Sequence, residues 1–225
     1  SLFDGLGRSF IEENFFGKLI KFILKISQKS IHKIILVNKD DIDFFLSQKI
    51  LKNKNKILHL KAPGLNVDNY DFKERKIKKN KVLTFSFISR IMEEKGIIYF
   101  LKAAENIKLN FRSQFVVIGK IQCRKLKTLI DFYKKKKVIK YFPNQKNVKP
   151  KIIASDCIVL PSYYGEGLPR ILQEANFFGR ICITTNNVGC KDVILNNYNG
   201  FICKKQSLKD LINKIKKVIL MDRKK

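Results

Sequence analysis

Residues 155–185 have the sequence SDCIVLPSYYGEGLPRILQEANFFGRICITT, in which two short apolar runs flank a glycine-containing turn and a helical pattern. The runs CIVLP (157–161) and ICITT (181–185) are rich in β-branched residues, which is typical of buried strands. Between them, apolar residues recur at helical spacing near 169–178. This stretch therefore predicts a strand, a helix and a second strand, which is the repeating unit of a parallel sheet.

The same alternation extends over the chain from residue 82 onward. Further strands are predicted at 82–89, 114–119, 138–142 and 200–203. Further helices are predicted near 96–108, 122–136, 147–154 and 207–220, with a short one at CKDVI. This order predicts an α/β fold with a doubly wound, Rossmann-like parallel sheet. Such sheets bind ligands beyond the carboxyl ends of their strands, so we expect the chemistry in the loops that follow strands.

The first part of the chain has a different pattern. KIILVN (33–38) predicts a short strand, and KDDIDFFLSQ (39–48) predicts a helix with acidic residues in its first turn. KILHL (56–60) predicts another strand, followed by a Pro/Gly/Asn turn, and the charge run KERKIKKNK (73–81) predicts a linker. We therefore predict a division into residues 1–72, a charged linker at 73–81, and a Rossmann-like domain at 82–225.

A stripe of lysines marks the segment before the first of these strands. Lys18, Lys21, Lys25, Lys29 and Lys33 are three, four, four and four residues apart, so they share one face of a helix, with Ile and Leu on the other faces. The stripe has two interpretations. It is either the solvated face of a helix that packs on a core, or part of a basic amphipathic helix that rests on anionic lipid.

The chain is strongly basic, with 47 Lys and Arg against 19 Asp and Glu and a net charge of +28. Such a charge favours nucleic acid, an anionic membrane or a phosphorylated ligand. The abundance of Lys, Asn, Ile and Phe is also what A+T-rich codons produce. Nucleic-acid readers rely on arginine forks, which are few here. A nucleic-acid-binding module therefore stays open as the weaker prediction.

Several kinds of site are disfavoured by the motifs. The five cysteines are scattered without C-x-x-C spacing, which predicts reduced core thiols in the cytosol and no zinc site. His32 and His59 lie far apart in apolar surroundings, so we predict no metal site. No dinucleotide, P-loop or G-x-S-x-G motif is present. No run of 18 apolar residues predicts a membrane span, and we predict a cytoplasmic protein.

Two loops that follow predicted strands carry candidate ligand-binding groups. In SRIMEEKG (89–96), Arg90 and Lys95 could clamp a diphosphate, although a lysine is common on any surface of this chain. In PSYYGEGLPR, the backbone amides of Gly167 and Leu168 lie at a helix N-terminus, where an anion would be favoured. Gly165 and Gly167 allow the backbone there to approach a ligand closely.

Two glutamates accompany the second loop. Glu166 is either a helix cap or an acceptor for ligand hydroxyls. Glu174 lies in an apolar helical pattern, where a carboxylate needs donors. Ribose hydroxyls would supply them, and a buried basic partner is the alternative. The next post-strand turn, with Asn187 and Gly189, either lines the same crevice or is an ordinary polar turn.

Taken in order, SRIMEEKG, FVVIG, SDCIVLPSYYGEGLPRILQEANFFGR, TTNNVGCKDVI and NGFIC resemble the C-terminal domain of retaining glycosyltransferases of family 4. The resemblance is to the bacterial capsule, O-antigen and lipid-linked-oligosaccharide type, and covers about residues 82–220. The Glu-x7-Glu pair is the signature of that family. The resemblance implies a GT-B architecture, and residues 1–72 look like a remnant of the acceptor-side N-terminal domain with its hinge. It therefore implies that the chain is a fragment.

The resemblance also implies a reaction and roles. A sugar would pass with retention from a nucleotide-sugar, with UDP expected, to a glycan or polyprenyl-linked acceptor at the inner face of the plasma membrane. Arg90 and Lys95 would bind the diphosphate and stabilise the leaving group. Gly165, Gly167 and Leu168 would contact phosphate and sugar, Glu166 the hydroxyls of the transferred sugar, and Glu174 the ribose. No metal or cofactor would be needed. A catalytically silent fragment that still binds the donor is a further alternative.

Overall fold

The structure is a computed structural model that describes residues 2–3, 15–60, 64–66 and 82–222. The predicted linker at 73–81 lies outside the described residues. Packing divides the chain into two units. Unit 1 comprises residues 1–64, 164–169 and 187–193, and unit 2 comprises 65–163, 170–186 and 194–225. Two loops of the predicted C-terminal domain thus belong to unit 1, and the division at residues 72 and 82 stays a prediction.

The strands and helices are numbered in chain order. The strands are β1 (Leu2–Phe3), β2 (Ile34–Leu36), β3 (Ile57–His59), β4 (Leu83–Ile88), β5 (Ser113–Ile118), β6 (Lys140–Phe142), β7 (Cys157–Leu160), β8 (Ile181–Thr185) and β9 (Gly200–Cys203). The helices are α1 (Phe15–Ser27), α2 (Lys39–Ser47), α3 (Ile97–Lys108), α4 (Arg124–Lys135), α5 (Lys149–Ala154), α6 (Arg170–Phe177), α7 (Cys190–Val193) and α8 (Leu208–Asp222).

Unit 1 contains a parallel sheet in the order β1-β2-β3. Its core is a small buried cluster made of Ile34, Leu36, Phe45, Ile50 and Leu51. The predicted acidic helix is α2. It begins after Asn38, whose side-chain oxygen accepts a hydrogen bond from the backbone N–H of Asp41 at 2.8 Å. This cap satisfies one of the donors that a helix N-terminus leaves open.

Helix α1 differs from the lysine-stripe prediction in its length. It ends at Ser27, so Lys29 and Lys33 lie beyond it. The physical reason is local, because polar side chains bond to the last turn: the Ser27 hydroxyl donates to the Leu24 carbonyl at 3.1 Å, and the Gln28 amide donates to the Lys25 carbonyl at 2.8 Å.

The faces of α1 also differ from the first interpretation of that stripe. Leu24 packs on the unit 1 core. Five large apolar side chains of the helix are exposed instead of buried, with exposed fractions from 41% to 77%: Phe15, Leu19, Phe22, Ile23 and Ile26. Helix α1 therefore packs on the core through Leu24, as the first interpretation expects, but most of its large apolar side chains are exposed, which that interpretation does not expect.

Unit 2 is built on a six-stranded parallel sheet in the order β6-β5-β4-β7-β8-β9. From β4 the chain adds strands outward on one side, and from β7 it adds them outward on the other side. The pair β4 and β7 is therefore the topological switch point of a doubly wound sheet. The predicted α/β, Rossmann-like fold is confirmed, and the six predicted strands lie within two residues of their observed bounds.

The core of unit 2 is aromatic where β4, β5 and α3 meet. Phe85 stacks on Phe115 with ring centroids 5.3 Å apart, and Phe100 lies 5.6 Å from Phe87 and 5.8 Å from Phe115. All four rings are at most 1% exposed. They form one contiguous apolar layer between the sheet and its helix.

The five cysteines are all free thiols, and four of them are buried, as predicted for core thiols. Burial raises the pKa of the Cys157 thiol well above its usual value. It also raises the pKa of Cys182 and of Cys203 to about 12 each. Cys123, by contrast, is exposed and directly precedes α4.

Candidate functional site

In unit 2, the loops that follow β4 and β7 touch each other at the switch point. The backbone N–H of Tyr163 and the hydroxyl of Ser162 both donate to the carbonyl of Glu94, at 3.0 and 3.1 Å. Residues 89–96 are thus fixed beside the segment that leaves β7. This is the edge of the sheet at which doubly wound folds bind ligands.

Gly96 makes this close approach possible. Its φ is +81°, in the left-handed region that favours glycine. A Cβ atom at this position would lie 2.1 Å from the carbonyl oxygen of Pro161. A side chain at residue 96 would therefore force the two loops apart.

Arg90 and Lys95 both lie in the first of these loops. Arg90 is exposed two residues after β4 ends, and Lys95 is partly buried in the short 3₁₀ turn Glu93–Lys95 that precedes α3. The structure thus places both predicted cations at the carboxyl end of β4. A guanidinium and an ammonium in one loop can neutralise a diphosphate.

Glu174 lies on α6 and is 7% exposed. Arg170, one turn earlier, donates through Nε to Glu174 Oε1 at 2.9 Å. Glu174 thus has a basic partner, but this partner is exposed and not the buried one that the alternative predicted. The Arg170 side chain is 76% exposed, and an ionised carboxylate has about four acceptor sites in total. An ion pair with Arg170 is therefore compatible with a further hydrogen bond from a hydroxyl donor.

The loop of residues 164–169, which we call the glycine-rich loop, belongs to unit 1. Gly165 and Glu166 are partly buried there, while Gly167 and Leu168 are buried. The backbone N–H of Glu166 donates to the carbonyl of Val188 at 3.3 Å. The helix that follows in sequence begins at Arg170, directly after Pro169.

Sequence reasoning missed a charged cluster in unit 1. Lys191 forms an ion pair with Asp40 at 2.9 Å, although 151 residues separate them in sequence. The sequence did predict the acidic first turn of α2. Residue spacing could not predict its partner Lys191, because the two lie far apart along the chain. Burial raises the pKa of neighbouring Asp41 to about 6, although its hydrogen bond from Asn38 opposes this. The negative charges of Asp40 and Asp192 also contribute to this rise of the pKa.

Two kinds of feature are absent from the described residues. In the ranges that the structure covers, no group of three or more His, Cys, Asp or Glu side chains is arranged to hold a metal ion. In the same ranges, no helix combines the length and apolar character that crossing a bilayer requires.

The sheet order and the two switch-point loops define a doubly wound, Rossmann-like α/β fold. The chain belongs to the family described as glycosyl transferases group 1, whose profile matches residues 66–225.

Two curated relatives are named as acting on diphospho-undecaprenol substrates. One is the N,N'-diacetylbacillosaminyl-diphospho-undecaprenol alpha-1,3-N-acetylgalactosaminyltransferase of Campylobacter jejuni, 27% identical over 96% of this chain and 59% of that protein. The other is the UDP-Gal:alpha-D-GlcNAc-diphosphoundecaprenol alpha-1,3-galactosyltransferase of Escherichia coli, 30% identical over 70% of this chain and 41% of that protein. The chain thus spans between 41% and 59% of these relatives.

Solved structures share the fold at low sequence identity. TarM superposes with a TM-score of 0.78 at 16% identity, over 99% of this chain and 43% of that chain. Anabaena Alr3699/HepE in complex with UDP superposes with a TM-score of 0.78 at 14% identity, over 94% of this chain and 60% of that chain. At such identities the likeness shows the fold alone.

Proposed function

We propose that this chain is the donor-binding portion of a retaining family 4 glycosyltransferase that takes its sugar from a UDP-sugar. The observation that carries the proposal is the joined pair of loops at the switch point, with Arg90 and Lys95 in the first. The family match supports it, and favours it over a nucleic-acid-binding module, in which Glu166 and Glu174 would have no function.

The roles follow the motif match. Arg90 and Lys95 bind the diphosphate and stabilise the charge that develops on the leaving UDP. This is catalysis by fixed charges, which can supply several kcal/mol of transition-state stabilisation. Gly165, Gly167 and Leu168 contact phosphate and sugar through the backbone. In this proposal the cations take the part that a metal ion plays in other transferases.

The two glutamates bind hydroxyls at the two ends of the donor. Glu166 binds those of the transferred sugar, and Glu174 binds the ribose. Glu174 is oriented by its ion pair with Arg170. A carboxylate held in place loses less entropy when it binds a hydroxyl than one that is free to rotate.

The acceptor is proposed to be polyprenyl-linked. Both curated relatives carry a diphospho-undecaprenol substrate in their names, and one of them names UDP-Gal as its donor. We extend that substrate class to this chain, as part of cell-surface polysaccharide synthesis, with an N-acetylated hexose or galactose as the sugar.

Donor titration tests the site. Isothermal calorimetry would measure Kd for UDP, UDP-N-acetylgalactosamine and UDP-galactose with the chain and with Arg90→Ala and Glu174→Ala. Each variant is expected to weaken UDP binding about tenfold or more, since a hydrogen bond to a charged group contributes about 1.5–3 kcal/mol.

Matched controls are available in unit 2. Arg112→Ala removes an exposed arginine elsewhere, and Glu105→Ala removes a helical glutamate that is paired with Lys136. Both controls should bind UDP as the parent chain does. The site assignment fails if the chain binds no uridine nucleotide, or if Arg90→Ala and Glu174→Ala bind it unchanged.

A transfer assay separates an active enzyme from a silent donor-binding fragment. An undecaprenyl-diphosphate-linked sugar and a radiolabelled UDP-sugar would be given to this chain and to a version extended to two full domains. Transfer by the extended version alone would support the fragment interpretation, and the anomeric configuration of the product would test retention.

Helix α1 is proposed to contact the anionic inner face of the membrane. It exposes an apolar stripe that includes Phe22 and Ile26, and Lys18 and Lys25 are exposed on the same helix. Apolar burial and attraction to anionic lipid act together in such helices. Cosedimentation with phosphatidylglycerol vesicles should weaken with Phe22→Ser and with salt. Leu195→Ser, at an exposed leucine of unit 2, is the control.

A further inference from the structure

The loop that carries Glu166 is held in unit 1 by the segment Asn187–Gly189. The side-chain amide of Asn187 donates to the carbonyl of Tyr164, and the carbonyl of Val188 accepts from the Glu166 N–H at 3.3 Å. Asn187 is only 2% exposed, so water has little access to replace its hydrogen bond. These contacts fix the backbone at Glu166 and two residues before it.

Gly189 supports the same loop from the other side of Glu166. Its φ is +75°, and a Cβ there would lie 1.8 Å from the carbonyl oxygen of Gly167 and 2.4 Å from that of Glu166. The two backbones therefore meet at a distance that only glycine permits. The loop is located by this contact as well as by its hydrogen bonds.

The supporting segment is itself anchored. The backbone N–H of Lys191 donates to the Asn187 carbonyl at 3.0 Å, and Asp192 Oδ2 accepts from the Gly189 N–H at 3.1 Å. The Lys191 side chain then reaches Asp40 in the first turn of α2. A continuous set of contacts thus runs from α2 to the backbone of Glu166.

We propose that Asn187 is a positioning residue for Glu166, and that Asp40 contributes more weakly through Lys191. Asn187 acts by fixing the loop, so that the Glu166 carboxylate meets the hydroxyls of the transferred sugar. The inference rests on the proposed function, because the hydroxyl-binding role of Glu166 belongs to it. It adds that a residue outside the Glu-x7-Glu motif governs how well the sugar is held.

The inference predicts that loss of Asn187 changes the affinity for the sugar-bearing donor but not the affinity for UDP. UDP lacks the sugar, and Gly189 still holds the Gly167 backbone that contacts phosphate, so loss of Asn187 should leave the Kd of UDP within about twofold. The Kd for UDP-N-acetylgalactosamine should rise about tenfold in Asn187→Ala, because a sugar hydroxyl would lose its hydrogen bond to the charged Glu166 carboxylate. Asn186→Ala, at the exposed neighbouring asparagine, is the matched control and should change neither Kd.

A double-mutant cycle tests whether Asn187 acts through Glu166. Calorimetry would compare Asn187→Ala, Glu166→Gln and the double variant with the parent chain, for UDP and for UDP-N-acetylgalactosamine. If the carboxylate is the target, Asn187→Ala should add less than about twofold to the loss already caused by Glu166→Gln. Additive losses would overturn the inference, as would an equal loss of both ligands, which indicates a purely structural role.

The remaining outcomes are also distinguishable. A parent chain that binds neither ligand removes the proposed function and this inference with it, whereas a parent that binds both while the cycle is additive removes the inference alone. If Asn187→Ala does not fold, Lys191→Gln tests the same set of contacts at a partly exposed position. In Lys191→Gln the Kd for UDP-N-acetylgalactosamine should rise about two- to fivefold, while the Kd for UDP stays within about twofold. Reversing the pair, with Asp40→Lys and Lys191→Asp together, should restore binding. Equal loss of both ligands, or no recovery in the reversed pair, would contradict the inference.

Discussion

The two parallel sheets of this chain are stabilised in different ways. The six-stranded sheet of unit 2 packs four phenylalanine rings against one another with almost no exposure. The three-stranded sheet of unit 1 has a smaller apolar cluster, and beside it lie the buried polar residues Asn38 and Asp41. Apolar burial is insensitive to pH, whereas a buried carboxylate is not. We therefore expect apolar burial to dominate the stability of unit 2, and Asp41 to give the stability of unit 1 a pH dependence of its own.

The largest expected effect compares one ring from each core. Phe100→Ala should lower the free energy of unfolding by about 3–5 kcal/mol. The loss caused by Phe45→Ala should be no larger than the lower end of that range. Both rings are fully buried, but Phe100 packs on two other aromatic rings. Urea denaturation, with hydrogen exchange resolved for each unit, would measure both losses. A greater cost for Phe45→Ala would reverse the comparison.

The next effect compares two left-handed glycines. Gly96→Ala should cost about 2–4 kcal/mol, because it adds a collision with Pro161 to an unfavourable backbone conformation. Gly64 in unit 1 has a φ of +71° with nothing within 4 Å of a built Cβ, so Gly64→Ala should cost only about 1 kcal/mol. Thermal denaturation of both variants gives the difference. Equal costs would mean that the approach of the two switch-point loops is not tight.

The sequence predicted unit 2 well because its signals are local. Each strand is a short β-branched or aromatic run, and each helix has its own periodicity, so the alternation could be read without any long-range information. The same alternation placed Arg90 and Lys95 after a strand. The parallel order then followed from physics, since such units build doubly wound sheets.

Long-range pairings could not be predicted in the same way. The Asp40–Lys191 ion pair joins residues 151 positions apart, and Asn187 supports a loop 23 positions earlier. The lysine stripe misled for a related reason. Charge spacing identifies a helix face, but which face of α1 meets the core depends on residues elsewhere in the fold.

A smaller effect tests the pH dependence of unit 1. The pKa of Asp41 is raised from 3.8 to about 6, so between about pH 4 and pH 6 the folded state holds more of its proton than the unfolded state does. This contribution therefore makes stability fall as pH rises through that window. Asp41→Asn should flatten the fall and raise stability at pH 7 by about 1–3 kcal/mol, since each pKa unit corresponds to about 1.4 kcal/mol.

Urea titrations from pH 4 to pH 8 would measure this change. Asp43→Asn, at an exposed position of the same helix, controls for the loss of one carboxylate. An Asp41→Asn variant whose stability curve parallels that of the parent chain would show that the buried carboxylate does not set the pH dependence.

The smallest effect compares one surface ion pair from each unit. Lys191–Asp40 in unit 1 and Lys136–Glu105 in unit 2 have similar lengths, 2.9 and 3.1 Å, and both are partly exposed. Double-mutant cycles on stability should give about 0.2–1 kcal/mol for each, falling with added salt. The Lys191 pair should be the larger, because its lysine is 35% exposed against 50% for Lys136. A coupling energy well above this range would show that a pair stabilises the fold more than an ordinary surface ion pair does.

The distribution of thiols provides a practical route to all these measurements. Maleimides react with thiolates that solvent can reach, and burial denies this to four of the five cysteines. Cys123 is left as the natural attachment point for a fluorophore or a spin label, at the start of α4. Ligand titrations and unfolding can therefore be followed by an optical reporter on the native sequence, without an engineered cysteine.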